Sequence, residues 1–186
     1  MDFTADPPLT KNGTDTCGHG THVAGIVLQL APNAELHVGR VSLDRTFDKR
    51  TDPECTARIA EAIRYAVDVW GVDVISMSLG FSSIPTDVKE AIIYAYSKDR
   101  ILVAAASNNG NSKIGNVTYP ASHLGLVICV NAANYAGTPH EFNPPATSSK
   151  DNFSILGEEV KSTWSKDAKG DAKQDELDLI VEEGAP

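Results

Sequence analysis

Three short apolar runs constrain this chain most. Residues 72–79, 101–106 and 126–130 are each long enough for a strand and too short for a buried helix. Between and before them lie segments with helical periodicity. Residues 56–70 place Ile59, Ile63, Val67 and Trp70 on one face, and residues 86–98 do the same with Val88, Ala91, Ile92 and Ala95. Asp87 and Glu90 have the spacing of a capping box at the start of the second helix. Residues 34–41 alternate apolar and polar side chains, as a half-buried strand does. Strands alternating with helices of ten to fifteen residues predict βαβ units: an α/β fold with a parallel β-sheet and helices on both faces. In such sheets functional groups gather beyond the carboxyl ends of the strands. Ser78-Leu79-Gly80 and Ser107-Asn108-Asn109-Gly110 occupy two of those ends.

Composition narrows the function classes. The 186 residues hold 16 basic and 25 acidic side chains, a net charge of −9, with no basic patch to neutralise phosphates, so a nucleic-acid partner is not expected. No apolar run approaches the roughly 18 residues of a membrane span, so no membrane partner is expected. Cys17, Cys55 and Cys129 are too few and scattered for a disulfide scaffold. The sequence starts without the basic and apolar stretch of a signal peptide. Read as it stands it is cytoplasmic, with free thiols and with the sequons at Asn12, Asn116 and Asn152 unmodified; a truncated N-terminus would leave localisation open. Residues 1–164 read as one domain. Residues 165–186 hold seven acids against three lysines, and their only apolar cluster is Leu177, Leu179, Ile180 and Val181, which reads as an acidic, disordered tail.

The sharpest motif is Gly18-His19-Gly20-Thr21-His22-Val23-Ala24-Gly25. Glycines beside a histidine at a helix start leave room for close backbone approach and present the ring to a cleft. A satisfied histidine in a helix cap is the bland alternative for a lone histidine, but the whole octapeptide is far more specific. The motif closely resembles the histidine motif of the subtilisin-like serine proteases, the subtilases. The resemblance implies a subtilisin-like three-layer sandwich, truncated here, and implies that His19 is a general base that takes a proton from a serine and returns it to the leaving amine. A metal site built from Cys17, His19 and His22, with His37, His123 or His140 as fourth ligand, is the competing chemistry. It leaves the glycines and Thr21 without a role, so no metal and no cofactor is assigned.

The match continues in the family's order. Residues 73–80 resemble the strand whose end, Ser78, Leu79 and Gly80, forms a wall of the substrate cleft, where a substrate backbone would add by main-chain hydrogen bonds. Residues 103–110 resemble the oxyanion segment, which makes Asn108 the amide donor to the tetrahedral intermediate; Ser107 stands where many subtilases have glycine. Tyr119-Pro120-Ala121, residues 127–130, Phe142-Asn143-Pro144-Pro145-Ala146 and residues 153–164 also resemble family segments, so the likeness covers about residues 14–164.

A subtilase needs aspartate, histidine and serine in that chain order. Asp2, Asp6 and Asp15 precede His19, but none ends an apolar strand, and all three read as surface or turn residues. No Gly-Thr-Ser occurs, and Ser148 and Ser149 lie in a loop context without the nucleophile's glycine. The expectation is a serine endopeptidase domain incomplete in this chain and inactive alone, with a protein or peptide as substrate. The alternative is a catalytically dead, subtilase-like module that binds peptides or partners. Calcium sites occur in the family, but no residues here match one. The incomplete sheet is expected to leave apolar surface exposed to water, especially on strands 72–79 and 101–106.

Overall fold

The computed structural model describes residues 1–5, 14–42, 54–108, 110, 117–123, 125–145 and 151–168. Asp6, Asn12, Asn116, Ser148, Ser149 and the acidic tail beyond residue 168 lie outside the described residues. The elements in chain order are α1 (His19–Leu30), α2 (Cys55–Tyr65) with a wider π turn at Ala66–Trp70, β1 (Val74–Met77), α3 (Thr86–Ser97), β2 (Ile101–Ala105), β3 (Ile128–Ala133) and β4 (Asn152–Leu156). The strands form one sheet in the order β1-β2-β3-β4, and every pairing is parallel. This is the α/β architecture that the alternating pattern predicts. Among the described residues no helix is long and apolar enough to cross a membrane, and none of the three cysteines is in a disulfide.

The core lies between the sheet and the pair α2 and α3. Ile59 and Ile63 of α2, Val67 beyond it, and Val88, Ala91, Ile92 and Ala95 of α3 are buried, as their 3.6-residue spacing requires. They meet Met77, Leu102, Ala104 and Cys129 from the sheet. Each large side chain fully removed from water here stabilises the fold by about 1.5–3 kcal/mol. The helical segment 56–70 ends at Gly71, whose φ of 63° reverses the chain into β1.

Three local expectations fail for identifiable reasons. Asp87 makes no cap: the N-cap of α3 is Pro85, and the Asp87 carboxylate instead accepts a hydrogen bond from the Thr56 hydroxyl at 3.0 Å, joining the first turns of α2 and α3. Residues 34–41 form no strand. Arg40 alone makes a parallel bridge, with Asp2, and Val38 is exposed. The run 72–79 is a sheet edge rather than a buried strand, with Val74 half in solvent. In strand 101–106 Leu102, Ala104 and Ala106 are buried while Ile101 is half exposed. β4 adds further exposed apolar surface, with Phe153, Ile155 and Leu156 each more than 50% accessible.

Asp2 corrects the reading of the early aspartates as surface or turn residues. It is 4% exposed and pairs with Arg40 at 3.0 Å. The Met1 ammonium donates to the Val38 carbonyl, and the Phe3 ring meets Tyr65 and Trp70 edge-on. Burial opposes ionisation of Asp2. Hydrogen bonds from the Thr4 hydroxyl and amide, then the Arg40 guanidinium, outweigh burial and hold the carboxyl below its ordinary 3.8. A depressed folded-state pKa stabilises above the unfolded value and is lost as pH falls through the folded one. Thermal stability should therefore drop as pH falls below 3.8, and Asp2→Asn should flatten that drop while lowering stability at neutral pH. Melting temperatures of both proteins across an acid titration check this.

Candidate active site

The two loops expected at the cleft come together through sheet register. Met77 of β1 lies opposite Ala104 of β2, so the chain leaves both strands at the same end of the sheet. Ser78 is half-buried there. Leu79 and Gly80 are buried, with the Leu79 side chain in the core, which leaves its main chain as the part able to meet a peptide. Phe81 then pairs antiparallel with Tyr119 through bonds of 2.7 and 3.0 Å.

Beyond β2, the Ala106 amide donates to the Val130 carbonyl at 2.9 Å, and the Ala106 carbonyl accepts both the Thr118 amide and the Thr118 hydroxyl. The chain turns away from the sheet at Ser107 and Asn108. Ser107 is buried with φ 158°, and Asn108 is half-buried at a bend. Gly110 returns the loop by donating to the Phe142 carbonyl at 2.8 Å. A Cβ at Gly110 would fall on the Asn143 carbonyl group, so glycine is required by close approach of two backbones. Asn143 is a supporting residue that sequence reasoning missed. Its side-chain amide accepts from the Ala132 amide at 3.0 Å and donates to the Ala132 carbonyl at 2.6 Å, stitching this turn to β3. A polar residue between Phe142 and two prolines reads only as a turn.

His19 opens α1 and is half-buried. The N-cap, Gly18, has φ 93° and lies under the Trp164 ring, where a Cβ would meet Cη2 at 2.9 Å. His22, one turn on, is buried. Its Nε2 lies 3.2 Å from the Val160 carbonyl, and its ring meets Trp164 edge-on. The Asp15 carboxylate accepts from the Cys17 and Gly18 amides at 3.0 and 2.7 Å, and from the Thr21 amide and hydroxyl at 2.9 and 2.6 Å. Asp15 is therefore a structural anchor, more than the turn residue expected from sequence. The segment leaving β4 crosses α1: Ser162, Thr163 and Ser165 donate their hydroxyls to the carbonyls of His22, Thr21 and Asp15. The contacts that hold the His19 turn thus come from the far edge of the sheet, while Ser78–Gly80 and Asn108 are held by β1–β3. The metal alternative finds no convergence. His37 stacks on Trp70, and among the described residues no three His, Cys, Asp or Glu side chains could hold an ion.

A parallel sheet whose β1 and β2 loops meet at one end, with a glycine-flanked histidine opening a helix, is an α/β arrangement. The model of the Subtilase family matches residues 4–173, and the chain belongs to that family. It is 32% identical over 159 residues to the subtilisin-like protease het-Q2 of Podospora anserina, covering 83% of this chain and 42% of that protein. It is 33% identical over 164 residues to thermitase of Thermoactinomyces vulgaris, covering 86% of this chain and 52% of thermitase. Its fold superposes on the structure of Sphericase with a TM-score of 0.67 and 31% identity, over 90% of this chain and 61% of that one. The chain thus spans about half the length of these curated relatives.

Behind the cleft wall, Tyr119 is 3% exposed, and its hydroxyl is buried without a partner among the described residues. Burial pushes its pKa up to about 12. A raised folded-state pKa gives stability that is complete below the unfolded value near 10 and is lost as pH rises toward 12. Tyr119→Phe should remove that alkaline loss. At neutral pH it should be neutral or stabilising, because the orphaned hydroxyl carries a desolvation cost of about 1–3 kcal/mol. Urea midpoints between pH 8 and 12 for both proteins test this.

Proposed function

We propose that this chain carries the general base and the oxyanion donor of a serine endopeptidase acting on protein substrates, and that it does not hydrolyse peptides alone. The observation carrying the reading is the Gly18–Gly25 motif folded as a helix start, with His19 as its first residue. In the proposed reaction the His19 imidazole takes the proton of a serine hydroxyl as that oxygen attacks the scissile carbonyl, then protonates the leaving amine. Asn108 donates to the oxygen that becomes negative, and the main chain of Ser78, Leu79 and Gly80 pairs with the substrate backbone. No Gly-Thr-Ser is present in the sequence to supply the nucleophile. Asp2 is engaged by Arg40, and Asp15 by the Cys17, Gly18 and Thr21 amides and the Thr21 hydroxyl, so neither is assigned the role of the triad's acid. A second reading, a peptide-binding module, predicts peptide binding without cleavage.

The 186-residue chain should show no turnover of an unstructured protein or fluorogenic peptide above buffer. Turnover abolished by a serine-directed fluorophosphonate would overturn this. In a polypeptide completed with an aspartate-bearing strand and a Gly-Thr-Ser helix from a family member, His19→Ala should nearly abolish turnover. Asn108→Leu should lower kcat with little change in KM, because the oxyanion exists only near the transition state. The expected loss is about 10²–10³-fold, the size known for removal of one such donor in subtilisin itself. A raised KM with intact kcat would make Asn108 a binding or turn residue.

A further inference from the structure

The helix that carries His19 begins at a residue with no side chain. Gly18 occupies the N-cap and cannot cap the orphaned amides of the first turn. The missing oxygen comes from three residues upstream. One carboxylate oxygen of Asp15 holds the Cys17 and Gly18 amides, just before His19. The other holds the Thr21 amide and hydroxyl, just after it. His19 is thus bracketed on both sides by a single rigid group, through four hydrogen bonds of 2.6–3.0 Å. The backbone of Asp15 is itself fixed, because its carbonyl accepts from the Ser165 hydroxyl at 2.6 Å.

Two features make this more than an ordinary cap. An N-cap side chain serves one or two amides of its own helix. Here the carboxylate also sets the left-handed turn at Gly18, where φ is 93°, and so fixes the angle between the incoming loop and the axis of α1. The Trp164 ring closes against Gly18, so any side chain there would collide with it. Burial opposes the ionised form of Asp15, yet the donors from Thr21, Gly18 and Cys17 outweigh it and keep the carboxyl below its ordinary value. The carboxylate is therefore charged, and accepts all four bonds, throughout the neutral range.

We propose that Asp15 is the positioning residue for His19: by tying Cys17, Gly18 and Thr21 to one carboxylate, it fixes the direction in which the imidazole leaves α1. This rests on reading His19 as the general base, but the test needs no turnover. In the full chain, NMR at one neutral pH reads the His19 ring resonances, its Hα–Hβ couplings, and the amide exchange of Gly18 and Thr21. Asp15→Ala should speed exchange of both amides roughly tenfold or more and average the His19 couplings, with the signals of Leu102 and Ala104 in β2 unmoved. Asp15→Asn keeps one acceptor oxygen for Cys17 and Gly18 but presents NH2 to Thr21, so it should free Thr21 alone. Thr21→Ser, which keeps the hydroxyl, should leave the His19 couplings in place, whereas Thr21→Val should shift them without any change of charge. If Asp15→Ala fails to fold, the Asn and Thr21 variants carry the same readout. Fixed His19 couplings in Asp15→Asn and Thr21→Val, even with a lowered melting temperature, would overturn the proposal and leave Asp15 a stabilising cap. Failure of the protease reading would appear elsewhere, as no turnover in the completed polypeptide, with the His19 couplings still dependent on Asp15.

Discussion

Parallel pairing of β2 on both of its edges is the constraint on which the rest of the structure depends. Its register with β1 and β3 sets where each chain leaves the sheet, and evenly spaced parallel hydrogen bonds bring those exits to one end. Leu102, Ala104 and Ala106 point into the core, so a slip of one residue would exchange them for Ile101, Val103 and Ala105 and expose the packed face. The pairing also runs past the strand itself. Val130 holds the Ala106 amide, and Thr118 holds the Ala106 carbonyl, so the chain cannot turn before Ser107. The position of Asn108 is therefore a consequence of apolar packing under β2 more than of anything Asn108 does.

The His19 turn is held by a different kind of force. Its neighbours are hydroxyls, a carboxylate and the edge of one indole, and the glycines at 18 and 25 exist to let them approach. Ser162 and Thr163 occupy the space that a Cβ on Gly25 would need. Hydrogen bonds of this kind contribute about 0.5–1.5 kcal/mol net, and about 1.5–3 kcal/mol when one partner is charged. The order of this turn thus depends on a few specific polar groups, whereas the end of β2 is buffered by a packed core.

That difference explains what the sequence revealed. Helices α2 and α3 were legible because burial imposes periodicity, and Val88, Ala91, Ile92 and Ala95 are all buried; the strands were legible as short apolar runs. The His19 motif was legible because close approach imposes glycine. Polar partnerships were less so. Asp87 has the spacing of a capping residue, yet its oxygen goes to Thr56 on another helix, a contact invisible to local pattern. Asp15 reads from the sequence as a surface or turn residue, although its short separation from His19 is what lets it bracket the turn. Asn143 left no periodic or spacing signal, because its partner Ala132 lies on β3 and is addressed through backbone atoms alone. The alternation of residues 34–41 suggested a strand, but only Arg40 bridges, to Asp2 of the initial segment.

The two outer strands show how structure and activity can be separate properties of such a chain. β1 presents Val74 at one edge of the sheet, and β4 presents Phe153, Ile155 and Leu156 at the other, an apolar pattern suited to a strand covered on both faces. Asn108 is placed by β2 and Asn143, and His19 by Asp15 and the segment leaving β4, each through its own local network. Their effects on rate are not separable in the same way. An imidazole does general-base work only where a hydroxyl is within reach, and an amide donor stabilises an oxyanion only once a nucleophile has made one. Residues of a catalytic unit act non-additively for this reason. His19 and Asn108, in the proposed roles, would therefore raise the rate only together with a nucleophile placed between them.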